Sequence, residues 1–214
     1  MSLIKKIVSG VAFAAAMVMG VSAAQAQGAE FDGTTFSCLQ YTSASSENSS
    51  TKAQSGLAKL WVNGYLAGYF KAKGTLSISE DAKAGDAIAS TLAAKCKEQP
   101  GAPVWVIARD ALGAEDRKLP KNAESIDISA YTCAAHVDAK AGSASDMMKA
   151  DLADLWAFAF IQGFKNFTDK DMAINMENKP MLTGAVARNC GKMRDKTFLD
   201  LTAMVAQAVK LGGS

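Results

Sequence analysis

Histidine is almost missing from this chain: one residue, His136, in 214. No serine or cysteine nucleophile can be argued beside it, so histidine-based hydrolysis has no footing. The four cysteines include no close C-x₂₋₄-C pair, the usual mark of a zinc site. A phosphate-binding glycine loop is also lacking. Enzyme chemistry is therefore not expected, and neither catalytic, metal nor cofactor residues are assigned. An excess of either charge is absent too. Setting aside Lys5 and Lys6, which lie in the leader described below, leaves 21 basic residues against 21 acidic ones. That balance argues against nucleic acid as a partner. Alternating β-branched runs are rare, so strands are not expected.

What is present begins with a leader. MSLIKKIVSGVAFAAAMVMGVSAAQAQ has a short basic start, an apolar run from Ile7 to about Val21, and small residues ending at Ala24-Gln25-Ala26. This is the layout of a secretory signal peptide over residues 1–26, with cleavage expected after Ala26. The apolar run is short for a membrane span, which needs about 20 residues. Gln27 follows rather than cysteine, so no lipid anchor is expected. No later segment is long and apolar enough to span a membrane, so stable membrane association is not expected. The remaining chain reads as an exported, periplasmic protein.

The second feature is a repeat. LAKLWVNGYLAGYF at 57–70 is echoed by LADLWAFAFIQGFK at 152–165. Trp61 lies 23 residues after Cys38, and Trp156 lies 23 after Cys133. Gly68 and Gly163 each lie 30 after the same cysteines. The later cysteines follow with a one-residue slip, Cys96 at 58 and Cys190 at 57. This is a tandem duplication. It divides the chain into a first module at 27–115, a polar linker at 116–124 containing Pro120, and a second module at 125–214.

Four cysteines allow three pairings. If each module closes its own bridge, the pairs are Cys38–Cys96 and Cys133–Cys190. Small exported modules often depend on such staples.

The periodicity is helical. Leu57, Leu60, Trp61, Tyr65 and Tyr69 share one face, as do Leu152, Leu155, Trp156, Phe160, Phe164 and Phe167. A third segment opens at Ser79-Glu80-Asp81 and runs through Ile88, Leu92 and Cys96. Its counterpart opens at Asn178-Lys179-Pro180 and runs through Leu182, Val186 and Cys190. Last helices are expected at Ala102–Leu112 and Asp195–Leu211. The fold class is all-α: two similar small helical modules, each stapled by one disulfide. Gly64, Gly68 and Gly163 read as sites of close helix approach, since glycine inside a helix costs about 1 kcal/mol against alanine. The aromatic stripes read as core. His136 is expected to be an incidental, surface or half-buried residue, and Asp151 and Asp154 a solvated face. Met147, Met148, Met172, Met176 and Met181 are expected to fill gaps in the helical core.

The series Leu57, Trp61, Gly64-Tyr65, Gly68 and its partner Leu152, Trp156, Ala159-Phe160, Gly163, each set between two cysteines, resembles the HdeA/HdeB family of periplasmic acid-stress chaperones. The resemblance covers nearly all of the chain after residue 26, once per half. It implies one disulfide per module. Family members are single modules that pair as homodimers, so two modules on one chain imply an intramolecular pseudo-dimer, with further self-association left open. The implied activity is an ATP-independent holdase, folded and inactive near neutrality. At very low pH it opens and exposes apolar surface to unfolded periplasmic clients. The client-binding residues would be Trp61, Tyr65, Tyr69, Trp156, Phe160 and Phe164. The composition permits such opening. With its 21 carboxylates protonated and His136 charged, the chain after residue 26 reaches about +22 near pH 2. Two other classes also fit an exported helical protein: a binding module such as a secretion-toxin immunity protein, and a structural protein of the envelope.

Overall fold

The computed structural model describes residues 31–44, 49–81, 83–115, 117–124, 126–169 and 174–209. The expected signal peptide lies outside them. The described helices are α1 (Cys38–Ser43), α2 (Ser49–Lys73), α3 (Lys83–Glu98) and α4 (Val104–Ile107) in the first half. In the second they are α5 (Cys133–Lys140), α6 (Ala144–Thr168), α7 (Lys179–Lys192) and α8 (Phe198–Ala208). The fold is all-α, stapled by Cys38–Cys96 and Cys133–Cys190. The four sulfurs are thus spent on bridges rather than on a metal. Such bridges belong to an oxidising, extracytoplasmic compartment. Among the described residues, no helix is long and apolar enough to cross a membrane.

The two halves repeat each other bond for bond at their entrances. Ser37 caps α1 and Thr132 caps α5, each accepting a backbone N–H of the first turn. Cys38 N–H donates to Ala102 O and Cys133 N–H donates to Lys196 O, both at 2.9 Å. Val104 N–H bonds Phe36 O, and Phe198 N–H bonds Tyr131 O. Each cysteine-bearing helix is thereby clipped to the segment that precedes the last helix of its half.

The long helices start earlier than the apolar pattern suggests. The Ser-rich stretch after Ser43 already turns helical at Ser49. Ser143 and Asp146 form a reciprocal capping box that starts α6 well before Leu152. Asp81 caps α3, its carboxylate accepting from Lys83 N–H at 2.9 Å, while Ser79 sits in a strand. The last helix of the first half is α4 running into a single π-helical stretch, Ala108–Leu112. Its counterpart α8 stays α-helical.

The join is not a loose linker. β1 (Ile78–Ser79) pairs in parallel with β2 (Leu119–Pro120), and β3 (Asn122–Ala123) pairs with β4 (Ile126–Asp127) as a tight hairpin. Glu124 at the hairpin turn has φ 53°, in the left-handed region that non-glycine residues rarely occupy. Leu119 and Ala123 are buried with the rest of one continuous core. The methionines differ from expectation. Met147 and Met181 are exposed and Met148 is only half-buried, whereas Met176, half-buried at the α7 entrance, packs against the core as expected. Met172 falls outside the described residues.

Candidate functional site

α2 and α6 form the spine of the molecule, and their glycines explain how closely they lie. A methyl group added at Gly64 would meet the backbone carbonyl of Trp156. At Gly68 it would meet the carbonyl of Phe160, and at Gly163 that of Tyr65. Backbone therefore rests on backbone at this crossing, and only glycine leaves room.

On either side of the seam runs an aromatic ladder. Trp61, Tyr65 and Tyr69 stack with ring centroids 5.4 and 6.5 Å apart. Trp156, Phe160 and Phe164 repeat the spacing, the first pair tilted at 5.3 Å and the second stacked at 6.4 Å. The structure thus brings all six residues expected to meet clients into one seam. It also seals them: Trp61 is 1% exposed, Trp156 2%, Tyr65 and Phe160 0%. Phe164 is buried and Tyr69 half-buried. Burial pushes the Tyr65 phenol up to about 12, against the opposing effect of the hydrogen bond that Asn166 Nδ2 donates to it at 3.1 Å. Phe167, expected on the same face, is instead exposed and edge-on to Tyr69, with centroids 5.2 Å apart.

The polar contacts of the seam are uneven. Trp156 Nε1–H donates to Asn63 Oδ1 at 2.8 Å, across the crossing. Among the described residues, Trp61 Nε1 has no partner. Asn63 is a polar residue inside an apolar run, LWVNGYL, and that interruption was the signal for it.

His136 corrects the sequence expectation. It is fully buried, packed 4.7 Å from the Phe198 ring, with Nε2 3.3 Å from Asp154 Oδ1. Its place three residues after the bridged Cys133 turns it inward from α5 onto α6. Asp154 is correspondingly not part of a solvated face, with only 15% of its side chain exposed. Lys140, in the last turn of α5, reaches Asp154 at 2.6 Å and Asp151 at 2.8 Å. Burial pulls the Lys140 ammonium down, but its hydrogen bonds to those two carboxylates outweigh that and hold it above the usual lysine value. Asp151 stays half-exposed, tied to the same ammonium.

Among the described residues, no three His, Cys, Asp or Glu side chains are placed to hold a metal ion. What the seam can do physically is store apolar surface: an aromatic ladder flanks the crossing on each long helix, and all of its rings but Tyr69 are buried. Comparison with protein-family models, curated proteins and solved structures finds no match to this chain.

Proposed function

We propose that this protein is a periplasmic, ATP-independent holdase activated by acid, exported by the signal peptide at residues 1–26. The observation that carries the reading is the closed aromatic ladder on each long helix: of the six rings, five are buried and Tyr69 is half-buried in the folded state. Parting the helices would present Trp61, Tyr65, Tyr69, Trp156, Phe160 and Phe164 to unfolded clients. The two bridges keep each half tethered during opening, since acid does not reduce a disulfide.

Acid provides the drive. The chain after residue 26 gains a large positive charge as its carboxylates protonate, and self-repulsion opposes the compact state. Specific carboxylates add to this. Burial raises Asp127, but hydrogen bonds from the Ser129 hydroxyl and the Ala130 and Ser129 backbone N–H groups, with Lys121 nearby, hold it below the usual carboxylate range. The hydroxyl and N–H of Ser143 do the same for Asp146. A carboxylate with a depressed folded-state pKa stabilises the fold above its unfolded value, near 4. That contribution is lost as pH falls through the folded-state value. The direction is acid-induced opening.

The test is light scattering of an acid-denatured client at pH 2 to 3, with and without this protein. The holdase suppresses the scatter; equal aggregation in both samples would sink the reading.

A further inference from the structure

Among the described residues, four buried polar atoms without a hydrogen-bond partner cluster in the second half: the Tyr131 hydroxyl, both ring nitrogens of His136, and Asp154 Oδ1. Such groups are normally bonded in folded proteins. His136 is fully buried, and its Nε2 stands 3.3 Å from Asp154 Oδ1 without the alignment of a hydrogen bond. Every element around the imidazole brings a charge or a ring. α5 itself supplies Lys140, whose ammonium holds Asp154 and Asp151 of α6. The entrance of α7 supplies Lys179. Burial pulls its ammonium below the usual lysine value, opposed by Asp154, Asp151 and Asp32. Asp32 comes from the segment before α1, so the first half reaches into the cluster. α8 faces the imidazole with the Phe198 ring, 4.7 Å away. The segment before α5 supplies Tyr131, its ring edge-on at 6.1 Å and its phenol pushed by burial up to about 12. Lys149 of α6 lies 5.6 Å over that ring. The other charged residues of α5, α7 and α8, namely Asp138, Arg188, Lys192 and Asp200, are exposed.

Near neutrality the carboxylates of Asp32, Asp151 and Asp154 face the ammoniums of Lys140 and Lys179. In strong acid carboxylates take up protons. Two outcomes then await His136, and both drive the same way. If the imidazole takes a proton while sealed, a cation stands in the core beside two ammoniums with no anion left to offset it, a costly arrangement. If it does not, the opened form, whose imidazole meets water, binds one proton more than the closed form, and acid favours whichever form binds more protons. The first half lacks this device. By the repeat, the counterparts of His136, Asp154 and Lys179 are Tyr41, Lys59 and Gly85. Tyr41 is buried, its phenol pushed up to about 12, and Lys59 is exposed. Neither changes charge between pH 7 and pH 2.

We propose that His136, with Asp154, Asp151 and Lys140, is an acid latch that makes the second half open before the first, α5 and α7 lifting from α6 while α1 and α3 stay in place. The Cys133–Cys190 bridge joins α5 to α7, so the two lift as one piece. Trp156, two residues beyond Asp154 on α6, is uncovered by that movement. The inference rests on the acid-opening part of the proposed function and adds which half moves first and which residues set it off.

Amide hydrogen exchange of the oxidised, unmodified protein at pH 7 and pH 3 tests it, with rates corrected for the intrinsic effect of pH. Protection in α5 and α7 falls at least about tenfold more than in α1 and α3, the factor that one unit of altered proton affinity produces. An equal fall in both pairs, or a larger one in α1 and α3, would overturn the proposal. His136→Gln keeps a polar side chain but takes up no proton. Between pH 7 and pH 3 it loses less of its urea midpoint than the unmodified protein does. The same loss in both would reduce His136 to a packing residue and overturn the latch. Neither measurement involves a client. Suppression of client scatter can therefore fail with the latch intact, and the latch can fail with suppression intact.

Discussion

Trp61 and Trp156 occupy the same position in two copies of one unit, yet their indoles live differently. Trp156 crosses the seam to donate to Asn63; the position equivalent to Asn63 in the second half is Phe158, which carries no acceptor, and among the described residues the Trp61 N–H has no partner. The first half leaves a cavity beside α3, whereas the second fills the matching region with Phe158, His136 and Lys179. The copies share backbone bonds and bridges and differ in side chains at the interface. The difference teaches that the frame of the unit and its polar furnishing are separable.

The bridges are where the halves should behave alike. Their loops span 58 and 57 residues, so replacing either cysteine pair by serines costs about 4 kcal/mol of stability in the chain-entropy model. Urea unfolding of Cys38→Ser/Cys96→Ser against Cys133→Ser/Cys190→Ser checks this. A large inequality would mean one half carries the fold. The crossing comes next. Gly68→Ala and Gly163→Ala each push backbone off backbone and cost about 1–3 kcal/mol, again measured by urea midpoints. Equal losses would mark the crossing as symmetric in energy as well as in shape.

The tryptophans then separate the halves. Asn63→Leu strands the Trp156 N–H in the core and costs about 1 kcal/mol, net of relieving the amide's own unpaired Nδ2. Its fluorescence signature is a shift in Trp156 emission, isolated in a Trp61→Phe/Trp105→Phe background. The smallest effect is on pH. Asp127 and Asp146, both in the second half, are held below the usual carboxylate range. Asp127→Asn/Asp146→Asn removes stability that exists at neutral pH and is lost in acid. The double variant therefore shows a flatter loss of urea midpoint between pH 7 and pH 3. An unchanged slope would remove these two carboxylates from the acid response.

The repeat was legible because cysteines and tryptophans kept their spacing, and that spacing led to the bridges and the paired helices. The helix starts were not, because Ser143 and Asp146 cap α6 with polar side chains that carry no apolar period. The strands were invisible for a different reason: two residues are too few to show alternation. The burial of His136 depends on Asp154 and Phe198, which lie 18 and 62 residues further along the chain. No local pattern reports a neighbour brought in from that distance. The cavity likewise needs α2, α3 and the join to meet, and only Asn63, interrupting an apolar run, hinted at it.

The join that pairs β2 with β1 and carries β3 into β4 also sets the molecularity of opening. Two separate units would part more readily on dilution, by mass action. Here the second unit is always present at an effective concentration of millimolar order. Unfolding midpoints and reclosing rates should therefore be independent of protein concentration. Return to neutral pH would rebuild the seam as a first-order event, at any dilution the surroundings impose.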